Sequence, residues 1–198
     1  MDNKNIILAF FLFVSIVFTG VTQETGPHVY RIGDTGPAGG IIFYDKGNNS
    51  DGWRYLEAAP VEVEFIAKWS AMNTFVANTQ TAIGSGKSNT QIILDTYIRT
   101  AGEWDTAVQL CDELDFGGFD DWFLPSIDEL NQMYGQLKRR NIGNFQDRHY
   151  WSSTGSRTNN IWESTGAYAL NFGDGRAELG SRTSAVYVRP IRQVAEYN

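Results

Sequence analysis

The residue types that make and break bonds are scarce in this chain and lie far apart. Its 198 residues hold two histidines, His28 and His149, and one cysteine, Cys111. A catalytic imidazole needs a placed partner. No Ser/His/Asp spacing supplies one, so both histidines read as structural. A lone cysteine excludes a disulfide framework, and two distant histidines do not complete a Cys/His zinc site. Cys111 falls on an apolar helical stripe, where a buried thiol behaves as a small hydrophobe rather than a nucleophile. Asp120-Asp121 is a carboxylate pair, but no calcium-ligand spacing surrounds it. Aspartates in a loop bond backbone amides instead. Gly84-Ser85-Gly86-Lys87-Ser88 is similar to part of a phosphate-binding loop. That loop needs a further glycine five residues before its Gly-Lys pair, and Thr81 stands there with no strand leading in. The chain is therefore expected to carry no metal and no cofactor, and not to be an enzyme.

What remains is chemistry that holds a ligand. Six tryptophans can stack on sugar rings or fill a core. Trp151 and Trp162 flank a polar stretch, Ser152 to Asn160, rich in Ser, Thr, Asn and Arg, the types that loop binding surfaces use. Charge is segregated. Glu24 to Gly135 holds 17 acidic and 6 basic residues, whereas Gln136 to Asn198 holds 5 acidic and 9 basic. A positive face on an acidic protein suits anionic ligands such as sulfated sugars; solvated or core-capping arginines are the other reading. The candidate ligand-binding residues are Arg157, Asn159, Asn160, Trp162, Arg176 and Arg182. The net charge of −7 argues against nucleic acid as a partner.

The elements that must position these residues are short. Gly40 to Asp45 and Trp53 to Ala59 read as a hairpin with a polar loop. Ala67 to Asn89 is loop-rich, and Thr90 to Thr100 is an ambiguous short helix. Glu103 to Leu114 reads as a helix, with Trp104, Ala107, Val108, Cys111 and Leu114 on one stripe. Ser126 and Glu129 form a capping box that opens a second helix through Leu137. Strands follow at Tyr150 to Thr154, Ala167 to Phe172, Arg176 to Gly180 and Ala185 to Arg192. Gly173-Asp174-Gly175 is a hairpin turn, and Pro190 marks an edge or a bulge. Two main helices among short antiparallel strands and hairpins give an α+β domain.

Ile6 to Phe18 is an apolar run broken only by Ser15, preceded by Lys4 and followed by small and polar residues. That is the layout of a signal peptide, expected over residues 1–22, ahead of a single domain over residues 23–198. The run is too short for a membrane span. The mature protein is expected to be exported, to the periplasm, the cell surface or the medium, with no membrane span after cleavage.

Five segments carry a resemblance. They are Ile32-Gly33-Asp34-Thr35-Gly36-Pro37-Ala38-Gly39-Gly40-Ile41-Ile42-Phe43-Tyr44, Trp53-Arg54-Tyr55-Leu56-Glu57-Ala58-Ala59-Pro60, Asp120 to Ser126 with Glu129-Leu130, Tyr150-Trp151-Ser152-Ser153-Thr154, and Val188-Arg189-Pro190-Ile191-Arg192. In this order they resemble the bacterial domain family named for the C-terminal domain of the Legionella collagen-like adhesin. The resemblance implies a C-type-lectin-like domain, distantly similar to the formylglycine-generating enzymes. It implies scaffold roles for the motifs: the leucine-proline motif opens a helix and the arginine motif closes the core. Binding would use irregular loops, mapped to Ser156 through Trp162 and Gly173 through Arg182. Cys111 alone does not reproduce the reactive cysteines or copper ligands of the formylglycine enzymes, so that activity is not expected. The expected function is a secreted or surface-exposed, non-catalytic binding module, an adhesin for an extracellular glycan or protein ligand. The alternative is a structural envelope protein or a protein–protein interaction module.

Overall fold

A computed structural model describes residues 29–70, 76–101, 105–156 and 166–196. The leader expected over residues 1–22 lies outside them. Among the described residues, no helix is long and apolar enough to cross a membrane.

Strands β1 (Ile41–Asp45) and β2 (Tyr55–Ala58) form the expected hairpin, and β2 pairs antiparallel with the last strand, β8 (Ile191–Val194). A second, five-stranded sheet contains β3 (Phe65–Lys68), β4 (His149–Gly155), β5 (Gly166–Asn171), β6 (Ala177–Ser181) and β7 (Ala185–Val188), in the order β3-β7-β4-β5-β6. Among the described residues, three α-helices, α1 (Gly86–Ala101), α2 (Ala107–Asp112) and α3 (Ile127–Gln136), complete the mixed α+β fold.

Strand alternation splits the core. Tyr150 and Trp151 are consecutive on β4, so their side chains leave opposite faces of the sheet. Tyr150 packs with Phe123, Leu130, Met133, Phe145 and Phe172. Trp151 packs with Trp69, Ile93, Val108, Cys111 and Leu124. The second sheet is thus covered by α3 on one face and by α1 and α2 on the other.

The capping box forms in full. The Ser126 hydroxyl accepts from the Glu129 N–H at 3.2 Å, and the Glu129 carboxylate accepts from the Ser126 N–H at 2.6 Å. Other expectations are corrected. The helix expected over Glu103 to Leu114 is shorter: Thr106 caps α2, which starts at Ala107, and Trp104 lies outside the described residues. The loop-rich stretch from Ala67 hides the end of β3 and the first turn of α1. The run Ala185 to Arg192 is two strands in different sheets. Pro190 has no N–H to continue a ladder, and Arg189 turns inward beside it. Its guanidinium donates to Glu64 Oε2 at 2.9 Å and to the carbonyls of Ala59 and Gly143, both at 3.1 Å.

That ion pair makes a direct prediction. The Glu64 side chain is 7% exposed, so Arg189→Ala leaves a nearly buried carboxylate without its counter-charge. The expected loss is about 3–5 kcal/mol of unfolding free energy, read as a lowered midpoint in urea denaturation. Arg189→Lys should lose less.

Candidate functional site

Of the residues expected to bind ligand, Arg176 and Arg182 are among those the structure describes. Arg157, Asn159, Asn160 and Trp162 lie outside the described residues. Arg176 is exposed at the β5–β6 turn, where its N–H bonds Asp174 Oδ1 at 3.0 Å. Arg182 is 0% exposed. Its Nε and Nη2 donate to the Gly166 carbonyl at 3.1 and 3.0 Å, and its guanidinium lies 4.4 Å from the Trp69 ring. It fastens the β6–β7 connection to β5.

Most other candidates are structural. Trp53, Trp69, Trp122 and Trp151 are buried. Burial also pushes the Cys111 thiol well above its usual range, leaving it protonated and inert. His149 pairs with Glu178 at 3.1 Å. Asp121 is held by Arg192, whose Nε and Nη2 donate at 2.7 and 3.1 Å, while Nη1 donates to Glu57 at 3.1 Å. The Glu57 carboxylate in turn accepts from Ala38 N–H at 3.1 Å and Gly40 N–H at 2.8 Å. A Cβ at Gly36 or Gly40 would collide with the Glu57 side chain, which is why those two positions of the first motif are glycine. Burial pushes the Glu57 carboxyl up, against these donors, which hold it down.

Among the described residues, two surfaces can meet a ligand. One is basic. The turn after α3 carries exposed Arg139 and Arg140, and Arg148 is exposed just before β4. Lys138 Nζ joins these segments, bonding the Phe145 carbonyl at 2.8 Å and Asp147 at 2.6 Å. The β5–β6 turn joins the same end: the Phe172 N–H bonds the Arg148 carbonyl at 2.9 Å, and Gly175 packs on the Tyr134 ring. Arg139, Arg140, Arg148 and Arg176 therefore crowd one end of the molecule. Asp147 and Asp174 are the opposing carboxylates there, already engaged by Lys138 and Arg176.

The other is a cleft of about 650 Å³ between the start of α1, the end of α2, the 120–123 loop and the β1–β2 connection. Its lip, Gly84, donates its N–H to Glu129 at 2.8 Å. The buried Glu129 carboxylate thus ties the approach to α1 to the cap of α3. A Cβ at Gly86 would strike it, so the pseudo phosphate-loop glycine exists to pass a carboxylate. Burial pushes Glu129 up to about 7, while the Ser126, Gly84 and Gly86 backbones hold it down. Sequence reasoning missed the cleft because separate segments build it.

The family model for the Lcl C-terminal domain matches residues 64–192, more than half of the chain. No curated protein matches it. The match takes in Glu64, Asp121, Glu129, Arg189 and Arg192 and starts after Glu57.

A pH dependence follows from Glu129. Its folded value of about 7 exceeds the ordinary 4.5, so the folded state keeps a proton that the unfolded chain releases. This contribution is fully present below about pH 4.5 and is lost as pH rises to about 7, a loss of roughly 3 kcal/mol. Unfolding free energies measured across that window should fall with pH, and Glu129→Gln should flatten the slope.

Proposed function

Because the chain belongs to the Lcl C-terminal domain family, we propose that it is an exported, non-catalytic, adhesin-like binding module that holds an anionic extracellular glycan at its basic end. The observation that carries this reading is the gathering of Arg139, Arg140, Arg148 and Arg176 on one exposed end of an otherwise acidic chain. Guanidinium groups match sulfate and carboxylate geometry, and exposed ones order little of the fold. Of the residues expected to bind ligand, Arg176 stands on this surface, while Arg182 follows the opposite end of β6. A non-catalytic role is supported by the use of the chain's reactive groups in packing: Cys111, Glu57 and Glu129 are buried. A leader over residues 1–22 would bring the domain to the periplasm, the cell surface or the medium.

A C-type-lectin-like scaffold is part of the same proposal. It is supported by β2 standing between β1 and β8, so that the two ends of the domain meet in one small sheet. A second reading, a protein–protein interaction module, draws on β6. This strand is an outer edge of its sheet, and Leu179 on it is 41% exposed, a pattern that invites pairing with another chain.

The test is heparin binding by calorimetry at low and physiological salt. Binding should fade with salt, because exposed charges are screened. Arg139→Ala with Arg140→Ala and Arg148→Ala should weaken it about tenfold or more at low salt without moving the melting temperature. Undiminished binding by the triple variant would sink the assignment.

A further inference from the structure

We propose that the cleft is a second binding site, for an uncharged, polyhydroxylated ring of the saccharide class. Its volume of about 650 Å³ lies within the ~300–1,000 Å³ span of small-ligand sites. Its walls exclude other ligand classes in turn. Asp51, Asp112, Asp120 and Asp121 line it, so a sulfate, phosphate or carboxylate would meet like charge. A bare cation is no better served. Lys87 stands on the same wall, Arg192 already holds Asp121 at 2.7 Å, and Lys46 lies 3.7 Å from Asp51. An apolar ligand would strip water from these groups and from the amides of Gln91 and Gln193 without replacing it.

A sugar hydroxyl fits where these fail, because it both donates and accepts. As a donor it serves the carboxylates and amide oxygens; as an acceptor it serves Lys87 and the amide nitrogens. Asp112 and Asp120 have no ion pair among the described residues and are exposed, so both are open to such donors. Burial, with Glu113 beside it, pushes the Asp112 carboxyl up, consistent with a group that lacks a counter-cation. Trp53 gives the cleft an apolar edge against which C–H groups of a sugar ring can pack, and the buried Trp122 and Phe123 back the wall behind it.

The wall is also built in advance. Trp122 Nε1 donates to the carbonyls of Phe116 and Phe119 at 3.3 and 3.1 Å. Phe123 and Ile191 exchange backbone bonds at 2.8 and 3.0 Å. Gly84 is pinned by Glu129. Little ordering remains to oppose binding. A smaller groove shares Asp51, Trp53, Gly84 and Ser88 with the cleft, so a chain of rings could continue into it.

The experiment titrates the purified protein with maltotriose, cellotriose, chitotriose and xylotriose, followed by saturation-transfer NMR and tryptophan fluorescence at low and high salt. At least one should bind, with an affinity that salt leaves unchanged. Asp120→Ala with Gln91→Ala, both exposed, should weaken it about tenfold with an unaltered melting temperature. Arg139→Ala with Arg140→Ala should leave it as it is. The proposal is overturned by no binding across the panel, by binding that the cleft variant does not weaken, or by binding that the arginine variant removes. Failure here leaves the basic-end reading standing, because that one is salt-dependent and maps to other residues.

Discussion

The three-way contact of Arg192 with Glu57 and Asp121 is the constraint on which the rest of this structure depends. It joins the second strand, the central loop and the last strand, residues far apart in sequence. The Glu57 carboxylate could not be buried alone, and the guanidinium could not be buried without its two carboxylates, of which Asp121 stays partly exposed. The planar fork meets Asp121 with two bonds and leaves its third nitrogen for Glu57. Its flat face rests 3.7 Å from the Phe119 ring, which a lysine ammonium could not reproduce. Such a cluster adds little net stability, since desolvation offsets most of its attraction. What it contributes is register: only one arrangement of hairpin, loop and closing strand satisfies all three charges.

Glu129 does on one face what Arg192 does on the other. Its carboxylate gathers backbone donors from two helix starts, where partial positive charge favours an anion. The approach to α1 and the cap of α3 therefore cannot move independently. Because Gly84 forms the cleft lip, the shape of that concave surface is set by a group inside the fold rather than by the loops around it.

Legibility in the sequence followed the range of each interaction. Helix α3 was readable because its cap and its apolar stripe are local, spanning a few residues around Ser126 and Glu129. The β5–β6 turn was readable for the same reason, in Gly173-Asp174-Gly175. Strand β3 was not: it is four residues long, and its partner β7 lies far along the chain. The first turn of α1 carries Gly86, a poor helix former, because Glu129, Leu124 and Phe123 all approach it too closely for a side chain. The arginines were the hardest. Arg182, Arg189 and Arg192 belong to the same basic stretch as Arg139, Arg148 and Arg176, yet the first three are buried and the others exposed. Composition cannot separate them. The resemblance did so in part, since it assigned the arginine motif around Arg189 and Arg192 to closing the core.

Charge segregation along the chain thus becomes segregation in space, but not by simple translation. Three cations of the C-terminal stretch are turned inward, and they neutralise or cap groups that would otherwise be unsatisfied. Among the described residues, the exposed Arg139, Arg140, Arg148 and Arg176 gather at the end of α3, while carboxylates of the N-terminal part line the cleft. The two surfaces obey different physics. Exposed arginines act at a distance and lose that reach within about 10 Å in salt of moderate strength. A concave wall of mixed donors and acceptors acts only at contact, and depends on shape that the surrounding bonds have already fixed. A protein that carries both can draw in a charged polymer loosely and still discriminate among small uncharged groups, because neither surface depends on the other's charge.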